Sequence, residues 1–145
     1  MTEEKSAIQF FCEDVPMPDI ESLKTKLWLT RVAESENSRL DEVNIIFCSD
    51  EYLYRLNVEH LNHDTFTDII TFPFSETSPI SGDLFISTER VEENAEELSV
   101  SFEEELHRVM VHGLLHLVGY GDKLPGEKKE MTAKENHYLE QRFDN

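Results

Sequence analysis

Apolar positions along the chain follow two periods, and the change from one to the other marks the predicted elements. Short β-branched and aromatic runs are typical of buried strands, whereas apolar residues that recur every three or four positions are typical of helices. The predicted strands cover 6–12, 43–48, 67–73 and 83–87, and the predicted helices cover 19–34, 51–60, 89–98, 102–118 and 127–142. Because the strands come early and the helices late, this order predicts an α+β fold, with a small mixed four-stranded sheet and about five helices packed against it.

Polar residues and glycines indicate where several helices begin and end. Asp50 can cap the helix that follows it, and Ser101 with Glu104 forms a capping-box pattern before the helix over 102–118. Gly119 suits the end of that helix, because glycine adopts the left-handed conformation that reverses the chain. The first helix is expected to bury a face that carries Ile20, Leu23, Leu27 and Trp28.

The length and charge of the chain restrict its classes of function. A chain of 145 residues has the size of one ordinary domain, so we expect 1–145 to form a single domain. No apolar run is long enough to span a membrane, and the N-terminus lacks an apolar signal segment, which predicts a cytoplasmic protein without a membrane partner. The formal net charge of −18 argues against broad electrostatic attraction to nucleic acid, so charge limits the function without naming it.

Two cysteines, Cys12 and Cys48, each lie in an apolar segment. They do not form the CxxC pair that is typical of redox and metal sites. We therefore expect two buried, reduced thiols.

The segment VMVHGLLHLVGYGD carries the chemistry. His112 and His116 are four positions apart on the predicted helix 102–118. Four residues turn a helix by about 400°, so the two imidazoles lie about 40° apart and one turn along, and both can reach one ion. Most other residues near the two histidines on this helix are apolar, and histidines in such surroundings indicate a specific role such as metal binding.

A third ligand cannot continue along the helix, because it would move away from the metal. Gly119 can turn the chain, and Asp122, ten residues after His112, can then return over the two histidines. Two neutral imidazoles and one carboxylate suit a single zinc ion and leave a fourth position for water. This spacing predicts a zinc site formed by His112, His116 and Asp122 that promotes hydrolysis.

The residue after His112 is Gly113, where metallopeptidases of the HExxH type carry their general base. Without a glutamate at this position, peptide hydrolysis is disfavoured while metal binding is unaffected. An HxxxH pair alone is a weak signal, and it is the added glycine and aspartate that favour a metal site.

The run HGLLHLVGYGD resembles the HGxLHLxGYxH signature of the YbeY endoribonucleases, the bacterial rRNA-maturation factors. Residues 56–74 resemble the family's segment that ends in TDVLSFPF, and 82–87 (GDLFIS) resemble its GDIxIS strand. ELHRVMVHG and the late MxxxE pattern from Met131 to Glu135 also fit. The resemblance covers about residues 40–140.

This resemblance implies an α+β fold and a zinc-dependent endoribonuclease that is specific for single strands. It implies a role in maturing the 3′ end of small-subunit rRNA and in ribosome quality control, with rRNA as substrate and small-subunit ribosomal proteins as further partners. His112 and His116 are then catalytic as well as metal-binding residues. Arg108, one helical turn before His112, is predicted to join them as a phosphate contact, although a salt bridge would equally suit an acidic protein.

Two positions depart from the family pattern. The third ligand is usually histidine, whereas this chain has Asp122, which lowers the charge of the site by one and makes the metal a weaker Lewis acid. The arginine that usually precedes the TDVLSF segment aligns with Leu61, with His60 and His63 nearby. An RNA-contacting cation is therefore either lost or replaced by a histidine.

Further polar residues near these segments have open roles. Asp68 is either an ordinary turn residue or a structural hydrogen-bonder near the site, and His107 and His137 are expected on the surface. A cluster of four lysines follows the third ligand, either as a solvated helix face or as a positive rim that guides RNA: Lys123, Lys128, Lys129 and Lys134.

Two other functions remain open beside the nuclease. A non-catalytic ribosome-assembly factor with a structural metal would suit the charge of −18, because ribosomal proteins are basic. A metallopeptidase is the more remote alternative, since Gly113 replaces the glutamate that it would need.

Overall fold

The structure, a computed structural model, describes residues 7–61, 67–75 and 77–142. Within these residues the chain forms strands and helices in the predicted order. The strands are β1 (Ile8–Cys12), β2 (Leu40–Cys48), β3 (Ile69–Pro73) and β4 (Ile80–Ser87), and the helices are α1 (Ser22–Ser35), α2 (Asp50–Leu61), α3 (Thr88–Leu98), α4 (Phe102–Leu117) and α5 (Pro125–Glu140). The predicted α+β class is confirmed.

The four strands form one mixed sheet in the order β1-β2-β4-β3. β2 lies between β1 and β4 and pairs with both in parallel. β3 pairs with β4 antiparallel, and Ile69 is opposite Ile86. The small mixed sheet predicted from the sequence is therefore confirmed, with β2 and β4 as its central strands.

Successive residues of β4 point to opposite faces of the sheet, as the period of a strand requires. Leu84 and Ile86 belong to the main core, whereas Phe85 packs on a smaller cluster with Leu53 and Ile70. α2 covers this second face, since it contacts β3 and β4. α4 packs against the same two strands and is itself contacted by α1, α3 and α5. The helix that carries the histidine pair is thus the most enclosed helix of the fold.

The buried face of α1 differs from the predicted one. Leu23 and Leu27 are 71% and 53% exposed, whereas the helix buries Thr25, Trp28, Leu29, Val32 and Ala33. Leu27 lies about 200° around the helix from Leu29 and is therefore on the opposite side from the buried face. The tryptophan, which donates from Nε1 to the carbonyl of Tyr138 at 2.9 Å, sets the orientation.

The start of α2 also corrects a prediction. Ser49, not Asp50, caps the helix, because its Oγ accepts from the backbone N of Tyr52 at 3.1 Å. The carboxylate of Asp50 instead accepts from Ser87 Oγ and from Arg90 Nη2, each at 2.7 Å. By contrast, Ser101 caps α4 as predicted and accepts from the backbone N of Glu104 at 3.0 Å.

Both cysteines are free thiols, but only Cys48 is buried, so the expectation of a buried Cys12 is wrong. Cys12 is the last residue of the edge strand β1, and exposure increases along this strand from the buried Ile8 to the exposed Phe11 and Cys12. Two strands begin earlier than predicted because Leu40 pairs with Ile80 and extends the β2–β4 ladder. Among the described helices, none is long and apolar enough to cross a membrane.

Candidate metal centre

His112 and His116 lie on the partly exposed face of α4, one turn apart. Their side chains are 24% and 26% exposed, while most of the helix is buried. Gly113, between them, faces the sheet: a Cβ atom there would lie 2.6 Å from Ile69 Cδ1 and 3.1 Å from Leu84 Cδ1. A glutamate at this position would collide with β3 and β4, so the catalytic base of an HExxH peptidase has no room here.

The chain turns sharply after α4. Gly119 has φ +116°, a conformation that side chains rarely adopt. The backbone N of Gly119 donates to the carbonyl of His116, and that of Tyr120 donates to the carbonyl of Leu115, each at 3.0 Å. These two bonds form a Schellman motif, which satisfies the last carbonyls of the helix. The predicted glycine turn is confirmed, and it directs the chain back toward the histidines.

Asp122 returns over the histidine pair. Its Oδ2 lies 3.1 Å from His116 Nε2 and 3.3 Å from His112 Nε2, and the two Nε2 atoms are 3.1 Å apart. Tetrahedral zinc with bonds of about 2.0–2.1 Å separates neighbouring ligand atoms by about 3.4 Å. The three atoms therefore fit the ligand triangle of one small cation. In the described part of the chain, no other group of three or more histidine, cysteine, aspartate or glutamate side chains is close enough to share an ion.

The loop that carries Asp122 is fixed at both ends. Tyr120 donates from its hydroxyl to Glu36 Oε1 at 2.6 Å. Glu127 Oε1 accepts from the backbone N of Leu124 at 3.1 Å and closes the start of α5. Gly121 lies against this carboxylate, since a Cβ atom there would be 2.7 Å from Glu127 Oε2. The third ligand is thus held by contacts that do not involve a metal.

Glu135, on α5, orients the first histidine. Its Oε2 accepts from His112 Nδ1 at 2.6 Å. With the proton on Nδ1, the lone pair of Nε2 faces His116 and Asp122, which is the tautomer that a metal ligand needs. Burial alone would lower the pKa of His112, but the hydrogen bond and charge of Glu135, with the charges of Asp122 and Asp68, outweigh it and raise the pKa.

Arg108 completes this group of charges. Its Nη1 donates to Glu135 Oε1 at 2.8 Å, and its Nη2 donates to Asn136 Oδ1 at 2.7 Å. The side chain is 29% exposed and that of Glu135 only 9%. The salt bridge considered from the sequence is therefore present, and it involves the carboxylate that holds His112.

A cavity of about 310 Å³ opens beside the ligands. Asp68 and Glu105 line it together with His112 and Asp122. Burial raises the pKa of Asp68, with the charge of His112 opposing the shift, and burial and the charge of Asp68 raise the pKa of Glu105. Asn94 donates to Asp68 Oδ2 at 3.3 Å, so Asp68 is a hydrogen-bonding residue of the site. Carboxyl groups with raised pKa values in a cleft are typical of functional sites.

Sequence reasoning missed the roles of Glu135 and Glu105. In the sequence, Glu135 belongs to the MxxxE pattern and Glu105 is one of three consecutive glutamates at the start of α4. Neither pattern indicates a role at the metal centre. Both are buried, which is uncommon for glutamate. Spacing could have indicated Glu105, since it lies seven residues before His112, about two turns along the same face.

The remaining histidines divide between surface and core. His137 is exposed as predicted, and His60 is exposed with its ring 6.1 Å from that of Phe72. The prediction for His107 is wrong, because it is fully buried with its ring 5.4 Å from that of Trp28. Burial lowers the pKa of His107 to about 4. His63 lies outside the described residues, and Leu61 is the last residue of α2.

The lysine cluster is only partly available to a ligand. Lys123, Lys128 and Lys129 are exposed. Lys134 instead donates to Glu36 Oε2 at 3.1 Å and lies over the ring of Tyr120, 5.6 Å from its centroid. The positive rim therefore comprises three exposed lysines, one in the loop that follows Asp122 and two near the start of α5.

Comparison with known proteins places these features in one family. Residues 11–142 match the family model described as endoribonuclease YbeY. A protein named endoribonuclease YbeY from Bacteroides fragilis is 47% identical over 136 residues, which are 94% of this chain and 98% of that protein. One of the same name from Flavobacterium johnsoniae is 54% identical over 112 residues, covering 77% of this chain and 81% of the relative.

A solution structure of a Thermotoga maritima protein has the same fold. It superposes with a TM-score of 0.66 at 30% identity and covers 94% of this chain and 89% of its own. The architecture described above is therefore shared with an independently determined structure.

Proposed function

The chain belongs to the endoribonuclease YbeY family, and from this premise we propose that it is a zinc-dependent endoribonuclease that cleaves single-stranded RNA during rRNA maturation. The observation that carries the proposal is the triangle of His112 Nε2, His116 Nε2 and Asp122 Oδ2, with sides of 3.1–3.3 Å. Two imidazoles and one carboxylate match the donor set of open, catalytic zinc sites.

Each residue of the site has a separate task in this proposal. A zinc ion bound here would supply Lewis-acid chemistry to a phosphate oxygen and to water. His112, His116 and Asp122 hold it, and Glu135 keeps the proton of His112 on Nδ1. The cavity of about 310 Å³ receives the scissile nucleotide, and Asp68 and Glu105 in its wall are placed for proton transfer.

The charge distribution favours a short, local contact with RNA. A chain of net charge −18 repels a polyanion over most of its surface. Lys123, Lys128 and Lys129 are exposed, follow Asp122 in the sequence and form the positive rim. A single strand can approach the metal along this rim without lying across the acidic groove between α2 and α3.

The proposal also includes a setting and partners. We assign the protein to the cytoplasm, to the 3′ end of small-subunit rRNA and to ribosome quality control. The groove between α2 and α3 is lined by Glu51, Glu89, Glu92, Glu93 and other acidic residues, which would suit basic small-subunit ribosomal proteins as partners. The support is the family membership and this charge pattern.

Metal content and cleavage test the enzymatic part. Protein purified without chelators should hold about one zinc ion per chain by elemental analysis. His116→Ala should lose the ion, and cleavage of an unstructured RNA should fall by about 100-fold or more. His137→Ala, which alters an exposed histidine on α5, should match the unmodified protein in both measurements. Near-stoichiometric zinc in His116→Ala, or cleavage that chelation leaves unchanged, would contradict the proposal.

Complementation separates catalysis from a purely structural role. In a bacterium that lacks its own family member, the unmodified chain should restore mature small-subunit rRNA, and His112→Ala should leave 3′-extended precursors. Equal rescue by both proteins would show that the site acts in assembly without catalysis, as a non-catalytic ribosome-assembly factor would.

A further inference from the structure

The guanidinium of Arg108 is engaged on both of its terminal nitrogens. Nη1 donates to Glu135 Oε1 at 2.8 Å and Nη2 donates to Asn136 Oδ1 at 2.7 Å. Both acceptors lie on α5, and the arginine lies on α4. Arg108 thus joins the helix of the two histidines to the helix that supplies their carboxylate.

Glu135 uses both of its oxygens as well. Oε1 accepts from Arg108, and Oε2 accepts from His112 Nδ1 at 2.6 Å. A continuous chain of charge-assisted hydrogen bonds therefore runs from the guanidinium to the imidazole. Such bonds are shorter and stronger than neutral ones, and they fix the carboxylate plane relative to both partners.

The surroundings of Glu135 make a cation necessary. Its side chain is 9% exposed and lines the same cavity as Asp68 and Glu105. Three carboxyl groups in one cavity repel one another when ionised. The guanidinium of Arg108 offsets this repulsion at Glu135 Oε1 and fixes the direction of the carboxylate, whose other oxygen faces His112 Nδ1.

We propose that Arg108 is a positioning residue of the metal centre: it holds the carboxylate of Glu135 against His112 Nδ1, so that His112 presents the lone pair of Nε2 to the metal. This inference rests on the proposed zinc site. It assigns Arg108 to the metal centre rather than to the RNA, because both terminal nitrogens already donate to acceptors on α5. Partners beyond the ligands commonly change metal affinity by about 10–100-fold.

Zinc affinity of the metal-free protein, measured by competition with a chromophoric chelator, tests the inference. Arg108→Gln should bind zinc about 10-fold more weakly than the unmodified protein. Arg108→Lys should recover part of that loss, since an ammonium keeps the charge but cannot reach both acceptors. Arg55→Gln is the matched control, because Arg55 makes an exposed pair with Glu51 at 2.7 Å, and its zinc affinity should not change.

A double-variant cycle shows whether Arg108 acts through Glu135. Glu135→Gln should itself weaken zinc binding, and adding Arg108→Gln should then change the affinity by about 2-fold or less. Fully additive losses would contradict action through Glu135. Should Arg108→Gln fold poorly by circular dichroism, Asn136→Ala provides the second test. Asn136 is exposed, and its loss should weaken zinc binding about 2–3-fold by freeing one side of the guanidinium.

The alternative role of Arg108, a direct contact with an RNA phosphate, is tested by binding of an uncleavable single-stranded DNA oligonucleotide at saturating zinc. Arg108→Gln should leave this affinity and its salt dependence unchanged. Weaker oligonucleotide binding, with a salt slope reduced by about 0.7 and an unaltered zinc affinity, would assign Arg108 to a phosphate and overturn the inference. If the unmodified protein binds no zinc, the proposed function itself fails. If it binds zinc and Arg108→Gln binds equally well, only the role of Arg108 fails.

Discussion

Two largely buried carboxylates, Glu135 and Glu36, each join separate elements of the fold, yet only Glu135 is bonded to a proposed metal ligand. Glu135 receives His112 and Arg108 from α4, and one of these partners is a proposed ligand. Glu36, at the end of α1, receives Tyr120 from the loop after α4, and Lys134 and Tyr138 from α5. The side chains of Glu135 and Glu36 are 9% and 10% exposed. Glu135 accepts hydrogen bonds from two side chains and Glu36 from three.

The two carboxylates differ in the chemistry of the side chains that donate to them. The hydroxyls of Tyr120 and Tyr138 remain protonated, and the bond to Glu36 raises the pKa of both, with burial acting as well. His112, by contrast, has a second nitrogen whose lone pair depends on the bond to Glu135. The tyrosine donors of Glu36 therefore have no second atom that could bind a metal, and Glu36 acts on the fold. Glu135 acts on the metal centre, because His112 has such an atom in Nε2.

Removing the two carboxylates should separate their roles most clearly. Glu135→Ala is expected to weaken zinc binding by about 10–100-fold, because His112 loses the partner that fixes its tautomer. Chelator competition measures the affinity. The contrast between the two groups fails if Glu36→Ala weakens zinc binding to the same extent.

Glu36→Ala should instead lower the free energy of unfolding by about 2–3 kcal/mol, since three donors lose a charged acceptor. Denaturant titration of the metal-free protein gives the value. RNA cleavage per folded molecule should fall less than in Glu135→Ala, because Glu36 reaches the loop of Asp122 only through Tyr120. A large loss of stability in Lys134→Met alone would show that the ion pair, rather than the three bonds together, stabilises this cluster.

The stabilisation by Glu36 should depend on pH. Burial alone would raise its pKa, but the bonds from Tyr120, Tyr138 and Lys134 outweigh burial and lower the pKa below its ordinary 4.5. A carboxyl whose pKa falls on folding contributes stability above the unfolded value and loses it as the pH falls through the folded value. The difference in unfolding free energy between the unmodified protein and Glu36→Gln should thus be full at pH 6–7 and shrink below about pH 4.5. A difference that grows on acidification would contradict this assignment.

Gly119 links the two groups, because its turn directs Tyr120 to Glu36 and Asp122 to the histidines. Gly119→Ala should cost about 1–2 kcal/mol of stability, since φ is +116° and the space around the position is otherwise open. Gly126→Ala is the matched control: it also has nothing within 4 Å and has no positive φ. Thermal unfolding compares the two, and equal effects would show that backbone strain is not the cause.

Asp122→His should have the smallest effect of this series. Asp122 lies where relatives of this family are expected to carry a histidine, and a neutral ligand raises the charge of the site by one. We expect zinc to remain bound and cleavage to rise by about 2–5-fold, because the metal becomes a stronger Lewis acid. Single-turnover cleavage at saturating zinc measures this step. Loss of zinc would indicate that the turn at Gly119 fits only the shorter side chain.

Much of the fold followed from local pattern. The order of strands and helices, the cap at Ser101 and the turn at Gly119 are decided by residues close in sequence, where period and backbone conformation act directly. The metal triangle belongs to this class, because His112, His116 and Asp122 are joined by one helix and one turn. The predictions for Leu27 and Cys12 failed because burial at these positions depends on what other elements of the chain cover.

By itself, the sequence determined the element order and three candidate ligands within eleven residues, since short-range geometry has few solutions. Only the tertiary structure decided that Glu135 reaches His112 across 23 positions, that Arg108 faces Glu135, and that His107 is buried. The first two contacts arise where α5 packs on α4, and His107 is buried where α1 packs on α4. The register of two packed helices is set by the shapes of both surfaces and not by either segment alone.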